Sequence, residues 1–276
     1  DVSTDQTKGR NISFSQTAMG MAFIFGPVLG AYLSSPTLIA WFNFATPYWF
    51  FCIIFFIFFV FSFFFFEETL APSDNATINF TEGLQQVYQG FVSKRFRLIL
   101  FIWFLFCFGW WLFEAFMPAY LYSRFDFTVL QVGHLLTFNG TLFVLSQMLI
   151  VSRVARRVQP QSMVKCAAIF AGVGMMSLAY VPFHFVYLSM IFFVLGMSFS
   201  LPGLITSLAN LESGQSQGQM MGIINSTQAF ATILVMLMGG LVNFFHGSAT
   251  VMVGGVVTIV AWVLYSVLFD RLRQAA

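Results

Sequence analysis

The sequence is poor in charge: Asp, Glu, Lys and Arg make up only 8% of its 276 residues. Soluble domains carry roughly 25%. Hydrophobic residues make up 59% of the chain, and 39 residues are phenylalanine. Too few polar side chains remain to cover a water-facing surface around so much apolar sequence. This composition excludes an ordinary soluble domain and predicts that lipid is the solvent.

Cysteines are also few, and the two signs of charge nearly balance. Cys52, Cys107 and Cys166 stand in separate apolar runs without metal-ligand spacing, so we expect neither a disulfide framework nor a zinc site. Twelve basic and 10 acidic residues give a net charge of +2, too weak a field for nucleic-acid binding. The apolar runs contain no paired carboxylates, and the sequence has no phosphate-cradling glycine loop. We therefore expect no enzyme, no metal and no cofactor.

Long apolar runs dominate what is present. A hydrocarbon core about 30 Å thick requires roughly 20 apolar residues in a helix, because only helical bonding satisfies the backbone there. Eight stretches meet this length, and they predict an all-α integral membrane protein with about eight transmembrane helices. The predicted spans are about Phe14–Ser35, Pro47–Phe66, Leu98–Tyr122, Val129–Val151, Ser162–Val181, Phe183–Leu208, Gln219–Phe245 and Ala249–Phe269.

The basic residues predict the orientation of these spans, since Lys and Arg near span ends stay on the cytoplasmic side. With eight spans, eleven of the twelve fall on one face, and only Arg124 falls on the other. We therefore expect a multi-pass plasma-membrane protein with both termini cytoplasmic. The abundance of Phe and the absence of targeting signals favour a bacterial inner membrane. The eleven residues are Lys8, Arg10, Lys94, Arg95, Arg97, Arg153, Arg156, Arg157, Lys165, Arg271 and Arg273.

A polar segment from Glu67 to about Phe96 separates two spans from six. We predict three regions: two helices in residues 1–66, a cytoplasmic loop in 67–96 and a six-helix bundle in 97–276. Within the loop, Thr81–Val92 suits either a short surface helix or a flexible linker, and both remain open. The chain begins at Asp1, with neither Met nor a signal-peptide pattern, so we expect it to be cut from something longer.

Glu114 is the one carboxylate deep in a predicted span, about 24 Å from the cytoplasmic entry at 1.5 Å per residue. A charge at membrane depth costs several kcal/mol, so Glu114 is a candidate functional residue. Trp110 and Trp111 lie within one turn of it. Either Glu114 binds a proton or a cationic substrate, or it stays solvated near the outer interface beside an aromatic belt. The sequence leaves both open.

The seventh span carries the longest polar stripe. Asn225 and Gln228 lie at helical spacing and favour lining a cavity. Small residues recur every four positions beside them and favour close helix packing instead. These small residues are Gly218, Gly222 and Ser226.

Polar residues also interrupt the fourth and sixth spans. Asn139 and Gln147 suit either a pathway or hydrogen bonds between helices. Pro202-Gly203 should loosen or kink the sixth span, which suits either a gate or local packing.

The first span contains Gly26-Pro27-Val28-Leu29-Gly30-Ala31, which resembles the glycine-proline antiporter motif in the fifth helix of the major facilitator superfamily. Glu68-Thr69-Leu70 is similar to the family's ending of helix six. On this resemblance the eight spans correspond to helices five to twelve, a partial bundle without the first four helices. Pro27 would set a bend, and Gly26 and Gly30 would let a neighbouring helix approach closely. The motif is a structural device rather than a ligand site.

The resemblance implies a secondary transporter that carries out proton-coupled efflux of a small molecule or drug by rocking two bundles around a midplane site. Its partners would be the lipid bilayer, a small-molecule substrate and protons as a possible coupling ion. Glu114, Asn139, Asn225 and Gln228 are the pathway candidates. The alternative is a truncated membrane protein or scaffold that transports nothing.

Overall fold

The structure, a computed structural model, describes residues 5–36, 39–65, 97–155, 157–209, 217–239 and 247–274. These residues form eight helices longer than ten residues, with no strand among them, so the predicted all-α class is confirmed. The helices are α1 (Asp5–Ser34), α2 (Thr46–Phe65), α3 (Arg97–Phe125), α4 (Val129–Leu145), α5 (Pro160–Leu178), α6 (Val186–Ala209), α7 (Gln217–Leu237) and α8 (Gly247–Gln274).

The helix lengths agree with the thickness of a bilayer. Six segments among the described residues are long and apolar enough to cross a membrane: α2, α3, Val129–Val154, α5, Phe183–Ser207 and Ser248–Leu268. Two shorter apolar helices, Gly20–Ser34 and Met221–Leu237, lie within α1 and α7. The polar segment from Glu67 to Phe96, with its possible helix at Thr81–Val92, lies outside the described residues.

The chain divides into two compact units, one made of Asp1–Ile78 with Phe127–Thr141 and the other of Asn79–Asp126 with Leu142–Ala276. In the first unit, α1 packs against α4 through glycines on α4. A Cβ atom added to Gly133 would collide with Ala31, and one added to Gly140 would collide with the Phe23 carbonyl. The two helices therefore approach backbone to backbone.

The glycines of the antiporter-like motif do not make this contact. A Cβ atom added to Gly26 or Gly30 would meet nothing within 4 Å among the described residues. The expectation that these two glycines admit a neighbouring helix therefore stays a prediction. Pro27 does lie at the tight contact, because its carbonyl is 3.1 Å from the position of a Cβ at Gly133.

In the second unit, α3 packs against α7 and α8, while α5 packs against α6 and α8. Small residues set the closest approach. A Cβ atom at Gly109 of α3 would lie 2.8 Å from the Gly254 carbonyl of α8, and one at Gly255 would lie 2.9 Å from the Gly172 carbonyl of α5. Because lipid solvates apolar side chains well, such close backbone packing is what holds membrane helices together.

Buried hydrogen bonds also join the helices of this unit. Trp103 of α3 donates to the Ile224 carbonyl of α7 at 3.1 Å, and its side chain is fully buried. Tyr120 donates to the Leu178 carbonyl of α5 at 3.2 Å. Ser207 of α6 and Tyr265 of α8 share a bond of 3.0 Å. In hydrocarbon, polar side chains of this kind add to helix association.

The helix that begins at Val129 widens after α4 into a π-helix, Ser146–Val151, and ends with one short turn, Ser152–Val154. The Ser152 N–H donates to the Gln147 carbonyl, five residues earlier. The Gln147 side chain donates to the Ser198 carbonyl of α6 at 3.0 Å. π-Helical turns are rare and occur often at functional positions.

Candidate functional site

An open groove with a volume of about 670 Å³ runs along one face of α7. Its size lies within the range of roughly 300–1,000 Å³ typical of small-molecule sites. In the part of the chain that the structure describes, its lining residues all belong to this helix: Asn225, Gln228, Ala229, Thr232, Ile233, Met236 and Leu237. The groove is therefore formed by one face of a single helix.

The spacing of the lining residues follows the helical repeat. Asn225, Gln228 and Thr232 stand at i, i+3 and i+7, which places them in one row along α7. The opposite face is buried against the rest of the unit. Ile224 and Ala231 are fully buried there, and the Trp103 indole bonds the Ile224 carbonyl. Burial of that face fixes the rotation of α7 and turns the polar row into the groove.

The groove changes character along its length. Amide groups of Asn225 and Gln228 stand toward the start of α7, and Ile233, Met236 and Leu237 stand toward its end. The Thr232 hydroxyl donates to the Gln228 carbonyl at 3.0 Å. Among the described residues, the lining includes no ionisable side chain. The groove thus offers neutral hydrogen-bonding groups at one end and an apolar surface at the other.

Glu114 lies in α3 and is not among the residues that line the groove. Its side chain is partly buried, and its Oε2 accepts a hydrogen bond of 2.6 Å from the Trp110 indole. The rings of Trp110 and Trp111 stack with centroids 5.2 Å apart. The tryptophans expected beside Glu114 therefore lie there, and one of them holds its carboxyl group directly.

Asn139, the fourth pathway candidate, belongs to the first unit. It lies in α4 and is 8% exposed. Of the four candidates, the structure brings Asn225 and Gln228 together in one groove. Glu114 lies in the same unit but outside that groove, and Asn139 lies in the other unit.

Sequence reasoning missed the apolar half of the groove. Ala229, Ile233, Met236 and Leu237 follow the polar row at helical spacing, and that spacing is the signal that could have found them. Apolar side chains do not stand out in a membrane helix, because lipid and a dry groove favour the same residue types.

The described residues contain no group of three or more His, Cys, Asp or Glu that could hold a metal ion. Cys107 is buried in α3, while Cys52 and Cys166 are exposed. The polar groups that line the groove are the amides of Asn225 and Gln228 and the hydroxyl of Thr232.

Comparisons with known proteins bear on this arrangement. The family model of the Major Facilitator Superfamily matches residues 1–234. The chain is similar to the crystal structure of the human organic anion transporter MFSD10 (TETRAN), with a TM-score of 0.65 and 20% sequence identity. The match covers 90% of this chain but 61% of that protein. At this identity the likeness shows the fold. No curated protein matches the chain by sequence.

Proposed function

Because the chain belongs to the major facilitator superfamily, a family of membrane transporters, we propose that it forms part of a secondary transporter whose substrate path runs along the α7 groove. The row formed by Asn225, Gln228 and Thr232 carries this proposal. Polar side chains on a membrane helix favour a protein interior or a water-filled cavity over lipid. A row three residues long, turned away from the helix's own packing face, suits a path for solute.

The chemistry of the groove indicates the substrate class. A small amphipathic organic molecule would place its polar part against the Asn225 and Gln228 amides and its apolar part against Ile233 and Met236. Amide N–H groups donate to an oxyanion as well as to a neutral carbonyl. Organic anions, the substrates named for the similar human transporter, are therefore among the molecules to test.

Glu114 is proposed as the proton-coupling group of efflux. It is the one Asp or Glu residue in the six long apolar segments. Its bond from Trp110 holds the carboxyl group in place while it takes a proton from one side of the membrane and returns it to the other.

The test of the groove is flux in proteoliposomes that contain the whole chain, with fluorescein as a probe anion and ethidium as a probe cation. Gln228→Leu and Asn225→Leu should each lower uptake of the transported dye roughly tenfold, since each loses a hydrogen bond to the solute. Thr227→Val is the matched control, because Thr227 lies on the buried face of α7 and bonds the Ile223 carbonyl. Equal losses in all three variants would contradict the groove as the substrate path. No flux at all from the unmodified chain would favour the alternative, a membrane protein that transports nothing.

Proton coupling has a separate test. In Glu114→Gln, dye flux should no longer respond to an imposed pH gradient, while exchange without a gradient continues. Trp110→Phe is the control, since it removes the indole donor but keeps the carboxyl group. A Glu114→Gln variant that still follows the pH gradient would remove Glu114 from the coupling mechanism.

The proposed orientation places both termini in the cytoplasm, in a plasma membrane of the bacterial inner-membrane type. It rests on the eleven basic residues that fall on one face of the span order. Cysteines introduced at Lys94 and Arg156 in a cysteine-free background should react from the same side of the membrane, and one at Arg124 from the other. Labelling of positions 94 and 156 from opposite sides would overturn the orientation.

A further inference from the structure

Pro202 lies inside α6, which continues through it from Val186 to Ala209. Proline has no backbone N–H, so the residue four positions earlier does not receive its usual helical hydrogen bond. That residue is Ser198, whose side chain is fully buried. A buried carbonyl that loses its donor is costly unless another group replaces it.

The replacement comes from another helix. The Gln147 side-chain N–H donates to the Ser198 carbonyl at 3.0 Å. Only the nitrogen end of a Gln amide can donate, so the chemistry fixes which way this side chain points. Gln147 lies within the π-helix Ser146–Val151, which packs against α6.

The other side of α6 is held by α5. A Cβ atom at Gly203 would lie 3.0 Å from the Pro160 carbonyl, and one at Gly196 would collide with the Ala171 backbone. The stretch around Pro202 is therefore fixed from two sides, by backbone contact with α5 and by one side-chain bond from the π-helix. Of these, the Gln147 bond is the one that depends on a single side chain.

We propose that Gln147 is a positioning residue for α6, which supplies from the π-helix the hydrogen bond that Pro202 withholds from Ser198. The bond joins the π-helix Ser146–Val151 to α6 close to Pro202. A movement that separated the π-helix from α6 would leave the Ser198 carbonyl without this donor. This role is independent of what the chain transports.

The test is a double-mutant cycle between Gln147→Met and Pro202→Ala on the whole chain in lipid nanodiscs. Methionine matches glutamine in length but has no N–H, and the Pro202→Ala change restores the backbone donor. Gln147→Met alone should lower the thermal unfolding midpoint by roughly 3–6 °C. In the Pro202→Ala background the same change should shift it by less than about 1 °C.

Gln131→Met is the matched control. The Gln131 side chain accepts a hydrogen bond from the Thr128 N–H at 2.7 Å. This bond does not replace one that a proline lacks. Its effect should be the same in the unmodified chain and in the Pro202→Ala background. Equal losses from Gln147→Met in both backgrounds would overturn the proposal, because the bond would then not substitute for the missing N–H.

Carbonyl NMR gives a second, direct readout. Labelling with ¹³C-carbonyl serine and ¹⁵N-phenylalanine selects three peptide groups in the sequence, Ser13–Phe14, Ser62–Phe63 and Ser198–Phe199. The Ser198 resonance should move upfield in Gln147→Met and return when Pro202→Ala is added, while the other two stay fixed. If Gln147→Met alone does not fold, the Ser198 carbonyl shift is compared between Pro202→Ala and the double variant Pro202→Ala with Gln147→Met. Equal Ser198 shifts in that pair are expected, and a large difference would contradict the replacement.

Discussion

Helices α2 and α3 are both rich in phenylalanine and both suited to lipid by hydropathy, yet they are packed very differently. In the most apolar stretch of α2 no residue is buried, whereas half of the corresponding stretch of α3 is. Phe63 is 74% exposed, and Phe113 is fully buried against Phe193 with ring centroids 4.7 Å apart. A phenylalanine side chain alone therefore does not say whether it meets lipid or protein.

The difference lies in the residues between the phenylalanines. α3 contains Gly109, where α8 approaches, and Trp103 and Tyr120, which bond carbonyls of other helices. α2 contains no glycine. In lipid, apolar contact between helices gains little over contact with acyl chains, so small residues and buried hydrogen bonds decide which helix packs.

The strongest test of this comparison is the glycine contact of α3. Gly109→Ala should lower the free energy of unfolding by about 2–3 kcal/mol. The new Cβ would lie 2.5 Å from the Thr258 hydroxyl oxygen, which is itself bonded to the Gly254 carbonyl. Thermal unfolding in detergent measures the change. Gly26→Ala is the matched control, because open space surrounds that position, and it should leave stability unchanged or slightly higher.

A smaller effect is expected from the buried indole of α3. Trp103→Phe should cost about 2 kcal/mol, through the lost bond to the Ile224 carbonyl and the cavity left behind. Trp49→Phe in α2, where the side chain is 70% exposed, should change stability by less than about 0.5 kcal/mol. Unfolding midpoints of the two variants, measured side by side, compare the helices directly. Similar losses would mean that indole burial is not what separates α2 from α3.

The smallest effect is expected in α2 itself. Phe63→Leu should stay within about 0.5 kcal/mol of the unmodified protein, because lipid solvates both side chains. Phe113→Leu in α3 should cost about 1–2 kcal/mol, since it loses the packing against Phe193. Detergent unfolding again supplies the measurement. A large loss from Phe63→Leu would break the comparison, because it would show that protein covers α2.

The number and class of the helices were predictable because the bilayer imposes a length and forbids unsatisfied backbone. The rotation of each helix was not. Pro27 of the antiporter-like motif lies at a tight contact of α1, but the glycines that make this contact, Gly133 and Gly140, lie on α4. The face of a helix that meets its neighbour depends on the packing of the whole unit, so a local sequence pattern does not predict it.

The lining of the groove could likewise be predicted only in part from the sequence. Asn225 and Gln228 were predictable because polar residues on a membrane helix stand out against apolar ones. Their apolar neighbours Ile233 and Met236 were not, since the same residue types suit lipid. The division of the chain into residues 1–66, 67–96 and 97–276 stays a prediction, as do the pathway roles of the four candidates Glu114, Asn139, Asn225 and Gln228.

The π-helix has a consequence for how this chain tolerates changes of length. A turn that closes on the fifth residue holds one residue more than an ordinary turn. Deleting a single residue between Ser146 and Val151 would turn the stretch back into regular helix and leave the residues from Ser152 onward on the same faces. Homologous sequences are therefore expected to carry a one-residue gap within these six positions, where elsewhere in the same helix such a gap would turn lipid-facing side chains inward.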